Sequence, residues 1–167
     1  MSHCSLLQAI LNHEGFKKLT VLANNQLQLC RAQQLANIIW AFATLDFLPI
    51  PQFLERLAEE AVSKRSGFNP QNVANMLWAF AKLEYEPTCP LLSTLAEEAT
   101  AKLPEFNSQN VSNMLWAFAK FIFIPSRQLL DATVTKISKT LLQFNPQVNS
   151  IPPLLRPPSL PPLSSMI

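Results

Sequence analysis

A chain of 167 residues is long enough for one domain with a real core, and 49% apolar against 14% charged residues predicts close packing. A formal net charge of +2 leans basic but falls well short of a protein that coats nucleic acid along its whole surface. No apolar run reaches the length of a membrane span. Cys4, Cys30 and Cys89, odd in number and far apart, argue against a disulfide framework and favour a reducing compartment.

The chain repeats itself. "FNPQNVANMLWAFAKL" at 68–83 returns as "FNSQNVSNMLWAFAKF" at 106–121, with 13 of 16 positions identical. Trp40, Trp78 and Trp116 stand 38 residues apart, as do Phe68, Phe106 and Phe144. A looser first copy, "CRAQQLANIIWAFATL" at 30–45, keeps Gln33, Ala36, Asn37, Trp40, Ala41, Phe42, Ala43 and Leu45, and "LAEEA" at 57–61 recurs at 95–99. A fixed period of this size marks stacked repeats rather than a globular enzyme.

In chain order, "MSHCSLLQAILNHEGF" has neither the layout of a signal peptide nor that of an Arg/Ser-rich transit segment. Residues 1–29 read as a partial repeat: 1–12 as the tail of a first helix, and "FKKLTVLANNQLQL" at 16–29 as a second helix. Full repeats are expected at 30–67, 68–105 and 106–143. In the middle one, Asn69 can cap a helix with Pro70 at its first position. Val73, Met76, Leu77, Phe80 and Leu83 then follow helical spacing. Pro87 ends that helix at "EYEP". Thr88 can cap a second helix, whose buried stripe is Leu91, Leu92, Leu95, Ala96, Ala99 and Leu103, while Glu97, Glu98 and Lys102 face water. Strand signals are absent. The expected architecture is all-α: helical hairpins of 38 residues stacked into a right-handed α-solenoid. At 144–167, "FNPQ" opens a fourth repeat that breaks off. Six prolines within 152–162 predict a disordered tail, with a Pro-rich adaptor ligand as the less favoured alternative.

The unit "FNPQNVANMLWAFAKL … LAEEA", its paired helices and its 38-residue step resemble the octotricopeptide repeat proteins of algae and related protists, relatives of the RAP-domain proteins. The resemblance covers roughly 30–147, with 13–29 as a degenerate half-unit. It implies a protein of the chloroplast or mitochondrion that binds single-stranded transcripts and acts in their maturation, stability or translation. Second helices in that family often open with Pro-Pro-Pro-Glu-Trp; here "LPIPQF", "EPTCPL" and "IPSRQL" keep prolines without the Trp. The RAP domain has no counterpart in this sequence, so no activity that needs it carries over.

Asparagine is a poor residue for a helix interior, yet it recurs at fixed places in the first helices. Winding 71–83 at 100° per residue puts Val73, Met76, Leu77, Phe80 and Ala81 on one broad face. Gln71, Asn72, Asn75, Ala79 and Lys82 fall on the opposite arc, with Trp78 at its edge. The same arc holds Gln33, Gln34, Asn37, Ala41 and Thr44 in the first copy, and Gln109, Asn110, Asn113, Ala117 and Lys120 in the third. Amides both donate and accept, which suits base edges, and modular RNA readers use two or three side chains per helical repeat. Gln34, Asn37, Asn72, Asn75, Asn110 and Asn113 are therefore candidate base contacts, and Lys82 and Lys120 candidate phosphate contacts. Asn37, Asn75 and Asn113, the same in every copy, fit a structural amide ladder equally well. Gln34/Asn72/Asn110 and Thr44/Lys82/Lys120 vary between copies, as a sequence reader must. Trp40, Trp78 and Trp116 could stack on bases, but the company of Leu77 and Phe80 predicts packing instead. On this reading Trp78→Ala costs about 3–5 kcal/mol and Asn72→Ala about 0.5 kcal/mol or less.

No catalytic or metal constellation emerges. Glu59–Glu60 and Glu97–Glu98 read as a solvated outer face, and His3 and His13 have no partners. No cofactor, membrane or small-molecule substrate is expected. Two functions remain: an organelle RNA binder with single-stranded RNA on its polar arc, or a solenoid scaffold that grips another protein. An arc carrying lysines and no acid favours RNA.

Overall fold

The computed structural model of the chain describes residues 14–88 and 90–144. The expected first-helix remnant at 1–12 and the expected disordered Pro-rich tail lie outside them. The described residues form seven α-helices and no strand: α1 Glu14–Asn24, α2 Ala32–Thr44, α3 Pro51–Ser63, α4 Pro70–Lys82, α5 Leu91–Lys102, α6 Ser108–Lys120 and α7 Arg127–Phe144. Short 3-10 turns at Leu27–Leu29, Arg65–Gly67 and Leu103–Glu105 follow α1, α3 and α5. No helix among the described residues is long and apolar enough to cross a membrane. The chain divides into two compact units, Met1–Thr133 and Val134–Ile167.

In the first unit, α2 packs against α4 and α4 against α6, while α1 packs against α3 and α3 against α5. Neighbours in space are thus one helix apart in sequence, and the hairpin partners α2–α3 and α4–α5 also touch. The core runs through this arrangement. Phe53, Phe68, Phe80, Leu35, Ile39, Met76 and Leu77 are all buried. The expected stripe of α5, Leu91, Leu92, Leu95, Ala96, Ala99 and Leu103, is buried throughout. Leu129 and Thr133 at the start of α7 are also buried. In the second unit, 134–144 continues as helix, with Val134, Ile137 and Leu141 exposed.

Small residues form the seams between the first helices. Ala36 and Ala43 on α2, and Ala74 and Ala81 on α4, are buried; their equivalents Ser112 and Ala119 on α6 are exposed. On the other flank the order reverses: Gln34 and Ala41 are exposed on α2, whereas Asn72 and Ala79, then Asn110 and Ala117, are buried. A helix in the middle of the row is therefore covered on both flanks, and it keeps only a narrow outward strip.

Each first helix ends in the same way. Asp46, Glu84 and Ile122, one past the C-cap, hold left-handed φ values of 54°, 53° and 53°. The N–H of each bonds back to Ala43, Ala81 or Ala119, and the next N–H bonds to the carbonyl of Phe42, Phe80 or Phe118. This is the Schellman arrangement, which satisfies carbonyls left over at a helix end. Its usual hydrophobic contact is aromatic here: Phe42–Phe47, Phe80–Tyr85 and Phe118–Phe123 stand at 5.7, 6.3 and 5.2 Å between ring centres.

Glu55 on α3 ties down the turn that follows α4. It accepts hydrogen bonds from the Tyr85 hydroxyl at 2.9 Å, from the Thr88 N–H at 2.9 Å and from the Thr88 hydroxyl. Thr88 therefore does not cap α5 as expected; Pro90 precedes its first residue, Leu91. Glu98 and Lys102, expected in water, are half-buried as an ion pair one helical turn apart, and Glu60 with Lys64 repeats that pair at 2.8 Å. Lys64 also donates to the Gln28 carbonyl at 2.8 Å, joining α3 to the turn after α1.

Candidate functional site

The outward strip of each first helix is set by intervals of four, three and four residues. On α2 it is Gln33, Asn37, Trp40 and Thr44, all exposed. On α4 it is Gln71, Asn75, Trp78 and Lys82, with Asn75 and Trp78 half-buried and the others exposed. On α6 it is Gln109, Asn113, Trp116 and Lys120, with only Asn113 half-buried. Because α4 packs against both α2 and α6, equivalent positions form four rows across the three helices. Two are amide rows, one is indole, and one ends in lysine.

This strip differs from the expected arc at two places. Asn72 and Asn110 are not exposed amides, being only 5% and 6% accessible. The N–H of Asn72 donates to Asn69 Oδ1 at 2.8 Å, and the Asn69 N–H donates to Asn72 Oδ1 at 3.3 Å. Asn107 and Asn110 make the same reciprocal pair at 2.8 and 3.1 Å. This is a capping box built from two asparagines, and it consumes the amide oxygens at the start of each helix. Gln34 holds the equivalent place on α2 and stays exposed, where its Oε1 accepts the Arg31 N–H at 2.8 Å. The signal lay in "NPQN" and "NSQN", where a second Asn follows the cap at the spacing usually filled by Glu or Gln.

The second difference concerns tryptophan, which the sequence assigned to packing. Trp40 and Trp116 are 43% and 41% accessible, and only Trp78, half-buried, packs against the core. The arc drawn from sequence was centred too far toward Ala79, which the flank of α4 buries. The true centre falls between Asn75 and Trp78.

Asn37 is exposed, and Asn75 and Asn113 are half-buried. The Asn113 Oδ1 accepts from Gln109 Nε2 at 2.7 Å within the strip. Among the described residues, no hydrogen bond joins Asn37 to Asn75 or Asn75 to Asn113 as an amide ladder between helices would require. Lys82 and Lys120 are exposed, but acids accompany them, contrary to the expectation. Lys82 Nζ lies 3.4 Å from Asp46 Oδ1, and Lys120 Nζ lies 2.9 Å from Glu84 Oε1. The acid in each case is the left-handed residue that ends the preceding first helix. The Lys120 ammonium, by its hydrogen bond and then its charge, holds the Glu84 carboxyl below the usual carboxylate range, and Lys82 adds to this. The ends of the strips thus carry alternating charges, Asp46, Lys82, Glu84 and Lys120. A cleft of about 410 Å³ opens beside the last pair, lined by Ala81, Glu84, Glu86, Lys120, Phe121 and Ile122.

Among the described residues no group of three His, Cys, Asp or Glu is placed to hold a metal ion. The arrangement sets rows of amide donors and acceptors, aromatic faces and paired cations along the outward strips of α2, α4 and α6. A family model described as the Tbc2 translation factor, N-terminal domain, matches residues 4–147. The chain belongs to this family. The match spans all three strips and every helix from α1 to α7, so the Tbc2 N-terminal domain is the setting in which the rows occur. No curated protein matches the chain.

Proposed function

We propose that the chain is an RNA-binding α-solenoid that acts in organelle post-transcriptional expression, at the level of translation, and that it holds single-stranded RNA along the outward strips of α2, α4 and α6. The units at 30–67, 68–105 and 106–143 are its repeats, of the octotricopeptide type. The observation that carries the reading is the alignment of Gln33/Gln71/Gln109 and Asn37/Asn75/Asn113 on consecutive packed helices, with Lys82 and Lys120 at the far end. Amides read base edges, and lysines neutralise phosphates. Membership in a translation-factor family supports a place in organelle gene expression, in chloroplast or mitochondrion, with RNA and other proteins of translation as partners. Gln34, Asn72 and Asn110 serve this surface indirectly, by fixing the N-terminal turn of each helix, while Asn37, Asn75, Asn113, Lys82 and Lys120 face the ligand.

The test is fluorescence anisotropy with a labelled single-stranded oligoribonucleotide and its duplex, over a series of salt concentrations. Single strands bind more tightly, and the logarithm of affinity falls against that of salt by about 0.7 per phosphate neutralised. Lys82→Ala and Lys120→Ala each lower that slope. A wild-type chain that binds no single strand at low salt, but captures a protein through the same strip, is a scaffold and overturns the RNA reading.

A further inference from the structure

We infer that Trp40, Trp78 and Trp116 form a stacking platform, each indole taking the face of one unpaired base, so that the ligand is a strand with its bases splayed apart rather than stacked. The inference rests on the proposed RNA reading and names the residues that set the conformation of the bound strand. Indoles are large and mostly buried in folded proteins, yet this one returns on the outward strip of three alternate helices, 43% and 41% accessible at the outer two and half-buried at the middle one. Its neighbours on the strip are polar on both sides: Asn37, Asn75 or Asn113 one turn before, and Thr44, Lys82 or Lys120 one turn after. An aromatic face between an amide and an ammonium matches a nucleotide, with base over the ring, base edge toward the amide and phosphate toward the cation. A protein partner could also use exposed Trp as an anchor, but such anchors sit in apolar surroundings, and here the flanking rows are amide and lysine.

Spacing fixes the rest. Packed helices lie about 8–10 Å apart, whereas bases along one strand of a duplex rise about 3.4 Å. Bases on neighbouring indoles cannot stack on each other. The strand must be unpaired and extended, at one nucleotide per indole. The ion pairs Lys82–Asp46 and Lys120–Glu84 hold the two ammonium groups at the end of the strip where the phosphates of such a strand would pass.

The experiment compares the wild-type chain on a single-stranded oligoribonucleotide and on an abasic version with the same number of phosphates, following both anisotropy and tryptophan fluorescence. The intact strand quenches the indole emission, and the abasic strand binds about tenfold more weakly with little quenching. Trp116→Leu, which keeps an apolar side chain at an exposed position, weakens binding about tenfold while leaving the salt slope unchanged. Trp116→Phe restores most of it. If the wild-type chain binds neither strand, the RNA reading itself fails. If it binds intact and abasic strands equally, RNA binding stands and the stacking platform is overturned. If the indoles are quenched only by a captured protein, they are a protein anchor and the inference falls.

Discussion

Asn72 and Asn110 show how one residue type can serve two tasks on the same helix. Three residues after Asn72, Asn75 looks outward with its amide available, while Asn72 is turned inward and bonded to the cap. Loss of an N-cap partner typically costs about 1 kcal/mol. We therefore expect Asn72→Ala to lower stability by about 1 kcal/mol, read as a fall in the urea midpoint, and Asn75→Ala to leave it within about 0.5 kcal/mol. Asn72→Asp should fall between them, because the carboxylate still accepts the Asn69 N–H and lies at a helix N-terminus that favours negative charge. Trp78, half-buried instead of enclosed, should cost less on truncation than the roughly 3–5 kcal/mol of a core aromatic. Equal midpoints for the Asn72→Ala and Asn75→Ala chains would contradict this division.

At the scale of the element, the turn after each first helix carries a cost that its sequence does not disguise. A left-handed conformation costs a non-glycine residue about 1–2 kcal/mol, and the side chain of the β-branched Ile122, 88% accessible, buries little surface in return. Ile122→Gly should raise stability by about 1 kcal/mol, after the extra freedom glycine gives the unfolded chain. A calorimetric melting temperature that falls would show that Ile122 makes a contribution the Schellman geometry does not explain. The same change at Asp46 or Glu84 should bring less, because each is also the partner of a lysine on the next first helix. Glu55→Ala should release the turn after α4, seen as faster limited proteolysis within 83–90, whereas Glu55→Gln keeps an acceptor for the Thr88 N–H and should be milder. Much of this level was legible beforehand. The 38-residue period and the caps at Asn69 and Pro70 placed α4 and α6, because helix ends depend on nearby residues. The outward strip was not placed correctly, because a helical wheel ranks residues by polarity alone. It cannot know that α2 and α6 cover both flanks of α4, burying an amide at Asn72 and leaving an indole outside at Trp78. The acids at Asp46 and Glu84 escaped for a related reason: they lie in turns, and reach the lysines only once the helices pack.

Across the whole molecule, the alternating charges Asp46, Lys82, Glu84 and Lys120 set the terms on which an anion can approach. Exposed pairs of this kind are worth little to stability, but on the proposed RNA reading each acid competes with a phosphate for its lysine. Glu84→Gln should therefore strengthen single-stranded RNA binding several-fold at low salt and steepen the salt slope by up to about 0.7, as Lys120 becomes fully available. A weaker complex would show that the pair itself orients the lysine. Acid acts in the same direction on the pair: the folded pKa of Glu84 is lowered, so its contribution to stability is present above the ordinary carboxylate pKa and is lost as pH falls through the folded value. Glu84→Gln should remove that part of the acid sensitivity of unfolding.

The alanine seams give the strip a pitch. Ala36 and Ala43 on α2, and Ala74, Ala79 and Ala81 on α4, are buried on helices that pack together, and short side chains let the backbones approach closely. The separation of one outward strip from the next is thus set in part by methyl groups on the hidden side, and the surface behaves as a ruler whose divisions can be changed without touching its face. Ala79→Leu would wedge two helices apart, at about 1–3 kcal/mol of overpacking, and lengthen one division while Gln71, Asn75, Trp78 and Lys82 stay as they are. On the proposed stacking reading, a strand matched to the original pitch would then fit two of its three indoles, and inserting a flexible abasic linker between the corresponding bases should recover the lost affinity.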